Sequence, residues 1–195
     1  MIIYLVAQDQ RMPPSASENL IPLLKPRPLK HQAPRIKNLL SRGFSTVEVT
    51  LRHPEALDWL KQVTREFPSL EIWAGTVTKK PQVKELADMG VHTVVSPGYC
   101  SELVTTILDL GLTPIPGVAT PSEVMAATRQ GLTRLKVFPA APLGGPSYIK
   151  ALGGPFPEVR FIATGGINQE NYQDYLKLAN VDVVAGSFLD STCSD

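Results

Sequence analysis

The chain has 195 residues, with 19 Lys plus Arg against 18 Asp plus Glu for a net charge of +1. That length suits one domain around a single core, and the balanced charge, with no basic tract interleaved with aromatics, argues against a nucleic-acid partner. No apolar run approaches the ~20 residues of a membrane span, so no membrane partner is expected. The opening Met1-Ile-Ile-Tyr-Leu-Val-Ala7 lacks the basic flank of a signal peptide. Cys100 and Cys193 cannot build a disulfide framework and read as two reduced thiols, which suits a cytoplasmic protein.

Residues 1–19 are set apart as an N-terminal segment, because 8–19 are polar and proline-bearing and read as mobile or as a poor helix. Over 20–195 one pattern repeats: a short aliphatic or β-branched run, a turn, then a stretch with helical periodicity. The candidate strands are Leu20–Leu24, Thr46–Leu51, Leu70–Ala74, Thr93–Ser96, Leu112–Ile115, Arg134–Phe138, Arg160–Ala163 and Val181–Ala185. The candidate helices between them are Leu29–Ser41, Pro54–Glu66, Lys80–Met89, Ser101–Leu110, Pro121–Arg129, Pro146–Leu152 and Gln169–Leu178. Thr120-Pro121-Ser122-Glu123 puts a cap residue, a first-turn proline and an early acid in order, and Asn168-Gln169-Glu170 reads similarly.

Such alternation predicts a parallel sheet flanked by helices, and eight evenly spaced units predict its closure into an α/β single-domain (β/α)8 TIM barrel. The chain is short against the roughly 250 residues typical of that fold. It stops soon after the eighth strand with no closing C-terminal helix, so the eighth helical position is expected to be empty. Met1–Ala7 is one candidate to cover it, although Pro13-Pro14 prevents a continuous helix from there to the first strand. Subunit packing is the other.

In a barrel the active site lies at the C-terminal ends of the strands. In the sixth run, Arg134-Leu-Lys-Val-Phe138, alternation turns Lys136 inward if Leu135 and Val137 face the helices. A lysine shielded from water favours its neutral amine, the form that attacks ketones; a structural ion pair is the equal alternative. In the second run, Val47, Val49 and Leu51 share one face, while Glu48, Thr50 and Arg52 share the other. An antiparallel strand with a wet face gives the same pattern. Inside a parallel barrel these polar groups need partners or a function: Glu48 as general acid/base, and Arg52 as a bidentate carboxylate or phosphate ligand. Thr76 offers a hydroxyl at the same rim. The Gly165-Gly166 pair before a helix and Ser187 after the eighth strand sit where barrels commonly hold phosphate. His31, His53 and His92 show no metal-ligand spacing, with His53 the one near the mouth, so no metal is expected and metal-dependent chemistry is disfavoured.

Glu48-Val-Thr-Leu-Arg52, Ala74-Gly-Thr-Val77, Ser96-Pro-Gly98, Ile115-Pro-Gly117, Lys136-Val-Phe-Pro-Ala140, Thr164-Gly-Gly-Ile167 and Gly186-Ser187 stand in one order and spacing. With them the chain resembles the 2-keto-3-deoxy-6-phosphogluconate (KDPG) and 4-hydroxy-2-oxoglutarate (KHG) aldolases from about Pro22 to Leu189. The resemblance implies a Schiff base on Lys136, proton transfer by Glu48, and a keto-acid carboxylate held by Arg52 and Thr76. It implies phosphate at Gly165, Gly166 and Ser187, with Lys25 a further candidate. It also implies Phe138 beside the lysine, with Pro97 and Thr164 lining the substrate site. The implied reaction is reversible cleavage of KDPG to pyruvate and glyceraldehyde 3-phosphate, without an external cofactor, in a homotrimer. A sister lyase acting on KHG or the 6-phosphogalactonate epimer is one alternative; a non-catalytic phosphosugar-binding barrel is another. The chain departs from the family at Lys25 (commonly arginine), His53 (threonine), Trp73 (glycine) and Ala163 (proline), in its N-terminal segment, and in lacking the final helix.

Overall fold

A computed structural model describes residues 19–190. Most of the N-terminal segment, including Met1–Ala7 and Pro13-Pro14, and Cys193 lie outside the described residues. The elements run β1 (Leu20–Leu24), α1 (Leu29–Ser41), β2 (Thr46–Thr50), α2 (Ala56–Glu66), β3 (Glu71–Gly75), α3 (Lys80–Asp88), β4 (Thr93–Val95), α4 (Ser101–Asp109) and β5 (Thr113–Ile115). They continue as β6 (Gly117–Val118), α5 (Pro121–Arg129), β7 (Arg134–Val137), α6 (Gly145–Gly153), β8 (Arg160–Thr164), α7 (Tyr172–Leu176), β9 (Val181–Gly186) and a 3-10 turn, Ser187–Asp190.

All strand pairs are parallel, in the order β5-β4-β3-β2-β1-β9-β8-β7-β6. The two ends of that order are consecutive in the chain, so the sheet closes on itself. β5 and β6 are two pieces of one barrel strand, which is why nine segments stand where eight were expected. The break is at Pro116, which has no N–H to donate. The lower piece pairs with β4 (Val95 opposite Ile115) and the upper with β7 (Gly117 opposite Lys136). The Pro116 carbonyl bridges the halves by accepting the Lys136 N–H at 2.9 Å.

The registers sort the inward side chains into layers drawn from alternate strands, given the one-residue stagger per strand of an eight-stranded barrel. Glu48, Val95, Lys136 and Ala185 form one layer. Beneath it lie Ile21, Trp73, Ile115 and Ile162, an apolar interior cluster shared with Val95, Val183 and Ala185. Above it lie Leu23, Gly75, Gly117 and Thr164. An irregularity at Phe161/Ile162 lets β9 turn both Val181 and Val184 outward while Val183 and Ala185 point in. Between barrel and helices, two larger apolar clusters hold residues such as Leu24, Ile36, Leu60 and Leu86 on one side and Leu135, Ile149, Phe161 and Val184 on the other.

Three expectations need correction. First, no α-helix follows β9 among the described residues, as expected, but the eighth position is partly filled: the 3-10 turn packs on β1, burying Leu189 and packing Phe188 against both outer clusters. Arg35 of α1 closes on Asp190 with Nε–Oδ1 at 2.9 Å and a second Nη2–Oδ2 contact, and Arg42 Nη1 donates to the Leu189 carbonyl at 3.0 Å. Second, α7 begins at Tyr172 rather than Gln169. Asn168 folds an Asx turn instead, its Oδ1 accepting the N–H groups of Glu170 (2.9 Å) and Asn171 (3.1 Å). Third, α2 starts at Ala56, after a turn over Pro54 and Glu55. The Thr120 cap forms as expected, accepting the Glu123 N–H at 3.3 Å.

The Arg35–Asp190 clamp yields a prediction. Its side chains are 16% and 10% exposed, so Asp190→Ala is expected to lower unfolding free energy by about 1.5–3 kcal/mol, the range of a charge-assisted hydrogen bond. Urea denaturation measures this, and a loss within experimental error would mean the turn is held by Phe188 and Leu189 alone.

Candidate active site

Lys136 and Glu48 stand on opposite walls of the barrel, and the shared layer brings their side chains together. Lys136 Nζ lies 3.3 Å from Glu48 Oε1, and the side chains are 5% and 1% exposed. The lysine nitrogen also sits 5.3 Å from the centre of the Phe138 ring. The two open readings of Lys136 therefore coexist: it is an inward-facing amine and it is ion-paired. Val47, Val49 and Leu135, Val137 face the helices and are buried, as the alternation predicts.

Three of the four residues in the layer above the pair are small, Leu23 being the exception. Gly75, next to Glu48 on β3, has no room for a side chain: a Cβ there would fall on the Glu48 carboxylate, 2.8 Å from its Cδ. Gly117 meets the Pro97 backbone in the same way. With Thr164 also in this layer, the space over the pair is walled by small groups on three strands and by Leu23 on the fourth. One step higher on the alternate strands come Thr50, Pro97, Phe138 and Ser187. Thr50 is buried with its hydroxyl donating to the Leu24 carbonyl at 3.4 Å. The role of the two glycines was hidden in the sequence, where Gly75 and Gly117 read as parts of motifs. Their necessity comes from atoms far away in the chain.

At the rim, Arg52 Nε donates to Thr76 Oγ1 at 3.2 Å. Thr76 holds φ 60, the only non-glycine with positive φ among the described residues. Such a conformation costs on the order of 1–3 kcal/mol and collects at functional sites. It aims the Thr76 hydroxyl at the arginine. His53 stacks on Trp59 at 4.5 Å and accepts the Glu55 N–H on Nδ1. Both His53 and Arg52 line a cleft of about 500 Å3 between α2 and α3. His31 and His92 are exposed, and no cluster of three or more metal-ligating side chains occurs among the described residues.

On the other side of the mouth, Gly165 and Gly166 take φ 95 and 77. A Cβ on Gly165 would lie 2.9 Å from Pro139 Cα, and one on Gly166 2.7 Å from Ala141 Cβ. Backbone bonds from Ala140 to the Thr164 carbonyl (2.8 Å) and from Ala141 to the Gly165 carbonyl (2.9 Å) lock these segments together. Ser187 opens the 3-10 turn and is exposed, as is Lys25 just past β1. The expected helix N-terminus directly behind the glycine pair is absent, because the Asn168 turn intervenes before the short α7.

Comparison with known proteins agrees with this geometry. The model of the KDPG and KHG aldolase family matches residues 15–194. The chain belongs to this family. Its enzyme class follows: a carbon–carbon lyase of the class I aldolase type. It is 42% identical to the 2-dehydro-3-deoxy-phosphogluconate aldolase of Pseudoalteromonas atlantica, over 87% of this chain and 79% of that one. It is 37% identical to the KHG/KDPG aldolase of Escherichia coli, over 87% and 80%. Among solved structures, the KDPG aldolase of Legionella pneumophila, with pyruvate captured at low pH as a covalent carbinolamine intermediate, superposes with TM-score 0.84 at 39% identity, covering 89% of this chain and 84% of that one.

The crowding at Gly75 gives a direct test. Gly75→Ala is expected to displace the Glu48 carboxylate and lower kcat by about 100-fold, the scale of a 1 Å misplacement, with the fold retained by circular dichroism. Turnover at the wild-type rate would mean that Glu48 tolerates the shift.

Proposed function

We propose that this protein cleaves KDPG reversibly to pyruvate and glyceraldehyde 3-phosphate, with Lys136 as the Schiff-base nucleophile. The observation that carries the reading is the buried Lys136–Glu48 pair beneath a layer that includes Gly75 and Gly117. Lys136 Nζ attacks the C2 ketone to give a carbinolamine, and loss of water leaves an iminium. Glu48 takes the proton of the C4 hydroxyl. The C3–C4 bond breaks, its electron pair passes into the iminium as an enamine, and the aldehyde leaves. Protonation of the enamine at C3 and hydrolysis release pyruvate and restore the amine. The iminium is the electron sink, so the chemistry needs no external cofactor. The names of the relatives, the KDPG aldolases and the KHG/KDPG aldolase, also support a second reading, in which KHG is a substrate too.

Arg52 and Thr76 hold the keto-acid carboxylate in this proposal, Thr164, Pro97 and Phe138 line the substrate, and Gly165, Gly166 and Ser187 bind the phosphate, with Lys25 at the same rim. The barrel domain runs over 20–195, the protein works in the cytoplasm, and it assembles as a homotrimer. Large apolar side chains exposed on α4 (Leu108, 44%), at its C-cap (Leu110, 43%) and on α5 (Met125, 46%) support burial between subunits. No helix among the described residues is long and apolar enough to cross a membrane.

Borohydride is expected to fix pyruvate on Lys136, located by peptide mass mapping, and Lys136→Arg to abolish both trapping and cleavage, since guanidinium stays protonated. Glu48→Gln is expected to keep some trapping while slowing cleavage by roughly 10²–10⁴-fold, the usual loss of a general acid–base. Label on a different lysine would overturn the assignment. Gly166→Val is expected to raise KM for the phosphorylated substrate far more than for a non-phosphorylated keto acid; equal losses would place the phosphate elsewhere. Sedimentation equilibrium is expected to return three subunits, and an active monomer at micromolar concentration would refute the trimer.

A further inference from the structure

Trp73 is the one aromatic ring in the interior cluster of the barrel. It is 5% exposed and directly follows the register of Glu48, its ladder partner on β2. Its layer mates are Ile21, Ile115 and Ile162, and Ile162 is in turn the ladder partner of Lys136. The four side chains form the layer immediately beneath the Lys136–Glu48 pair.

The indole is anchored from below. Its Nε1 donates to Glu71 Oε1 at 2.9 Å, and Glu71 Oε2 accepts from the Thr46 hydroxyl at 2.9 Å. The Arg134 guanidinium stacks over the ring at 5.3 Å. A layer with two glycines and a threonine beside Leu23 above the pair, and a large ring with three isoleucines below it, make the site asymmetric. Substrate has room to enter from the mouth, while the Lys136 and Glu48 side chains have nothing to sink into.

We propose that Trp73 is a positioning residue for the reaction: the floor that holds the Lys136 amine and the Glu48 carboxylate at the level where they meet the bound keto acid. This rests on the aldolase reading of the site. Replacing the ring by a methyl group would open a void under two long side chains, and a displacement of about 1 Å in a reacting group costs on the order of 100-fold in rate. The Glu71 bond orients the indole, but the filled volume does the positioning.

The test compares Trp73→Ala, Trp73→Leu and Trp73→Phe in the full-length chain. Sites competent for Schiff-base formation are counted by pyruvate and borohydride, and kcat is expressed per trapped site. A purely structural role would lower the number of competent sites and leave kcat per site unchanged. The expected result is kcat per site lowered by about 10- to 100-fold in Trp73→Ala, less so in Trp73→Leu, with KM little altered and Trp73→Phe close to wild type. Unchanged kcat per site in Trp73→Ala, or in Trp73→Leu should the alanine variant not fold, would overturn the proposal, as would an equal loss in Trp73→Phe. Failure of the wild-type protein to trap pyruvate on Lys136 would instead overturn the aldolase reading itself.

Discussion

Everything in this barrel is arranged around one ion pair that spans it. Burying an amine and a carboxylate costs several kcal/mol per ion unless each finds a partner, and here each is the other's partner at 3.3 Å. Contact across the barrel requires that their strands present inward residues at the same height. In an eight-stranded barrel only alternate strands do so, and the strands of Glu48 and Lys136 satisfy that condition. A one-residue slip of either would turn its side chain outward among the helices. The register is thus specified twice, by the apolar faces of Val47, Val49, Leu135 and Val137 and by the need to pair the charges.

The pair then dictates the composition of its neighbours. Because Glu48 leans over β3, position 75 has no space for a Cβ. Because the barrel must close beside Lys136, the strand carrying Pro116 pairs with β4 below the proline and with β7 above it. The carbonyl of Pro116 is then free to accept the Lys136 N–H. This backbone bond fixes the base of the reactive side chain, while the Phe138 ring and Glu48 fix its tip. The amine is held at both ends, which is the condition for a nucleophile that attacks in one geometry.

Much of this was legible in the sequence because it follows from local period. Lys136 and Glu48 were assigned inward from alternation, and the strand and helix runs are where the apolar pattern changes period. What was not legible depended on contacts between distant segments. Pro116 divides a strand only because two different neighbours claim its halves. The start of α7 was misplaced because Asn168 spends its side chain on a turn, a choice that a cap signature cannot distinguish from helix initiation. Trp73 read as a departure from family pattern, and its place under the charged pair emerges only when the registers are followed around the ring. The empty eighth position was inferred from the lack of a helical pattern, which a four-residue 3-10 turn does not produce.

That turn ties the proposed phosphate side of the mouth to the outer packing of the barrel. Ser187 is its first residue, Leu189 is buried in the outer core, and Asp190 is clamped by Arg35 of α1. Gly186, just before it, has no room for a side chain because the Phe188 ring folds back over it. The turn that begins at Ser187 is therefore held by contacts made outside the barrel, with no catalytic residue among them. Arg35 lies on the helix that follows β1, and Lys25 lies just past the end of β1. One packed unit, β1 with α1 and the turn, thus carries two of the proposed phosphate-side residues. The glycine pair after β8 belongs to a separate unit, locked to the Phe138–Ala141 segment behind Lys136. A phosphate bound between them would bridge the seventh βα unit to the first and eighth, which the Arg35–Asp190 clamp ties together.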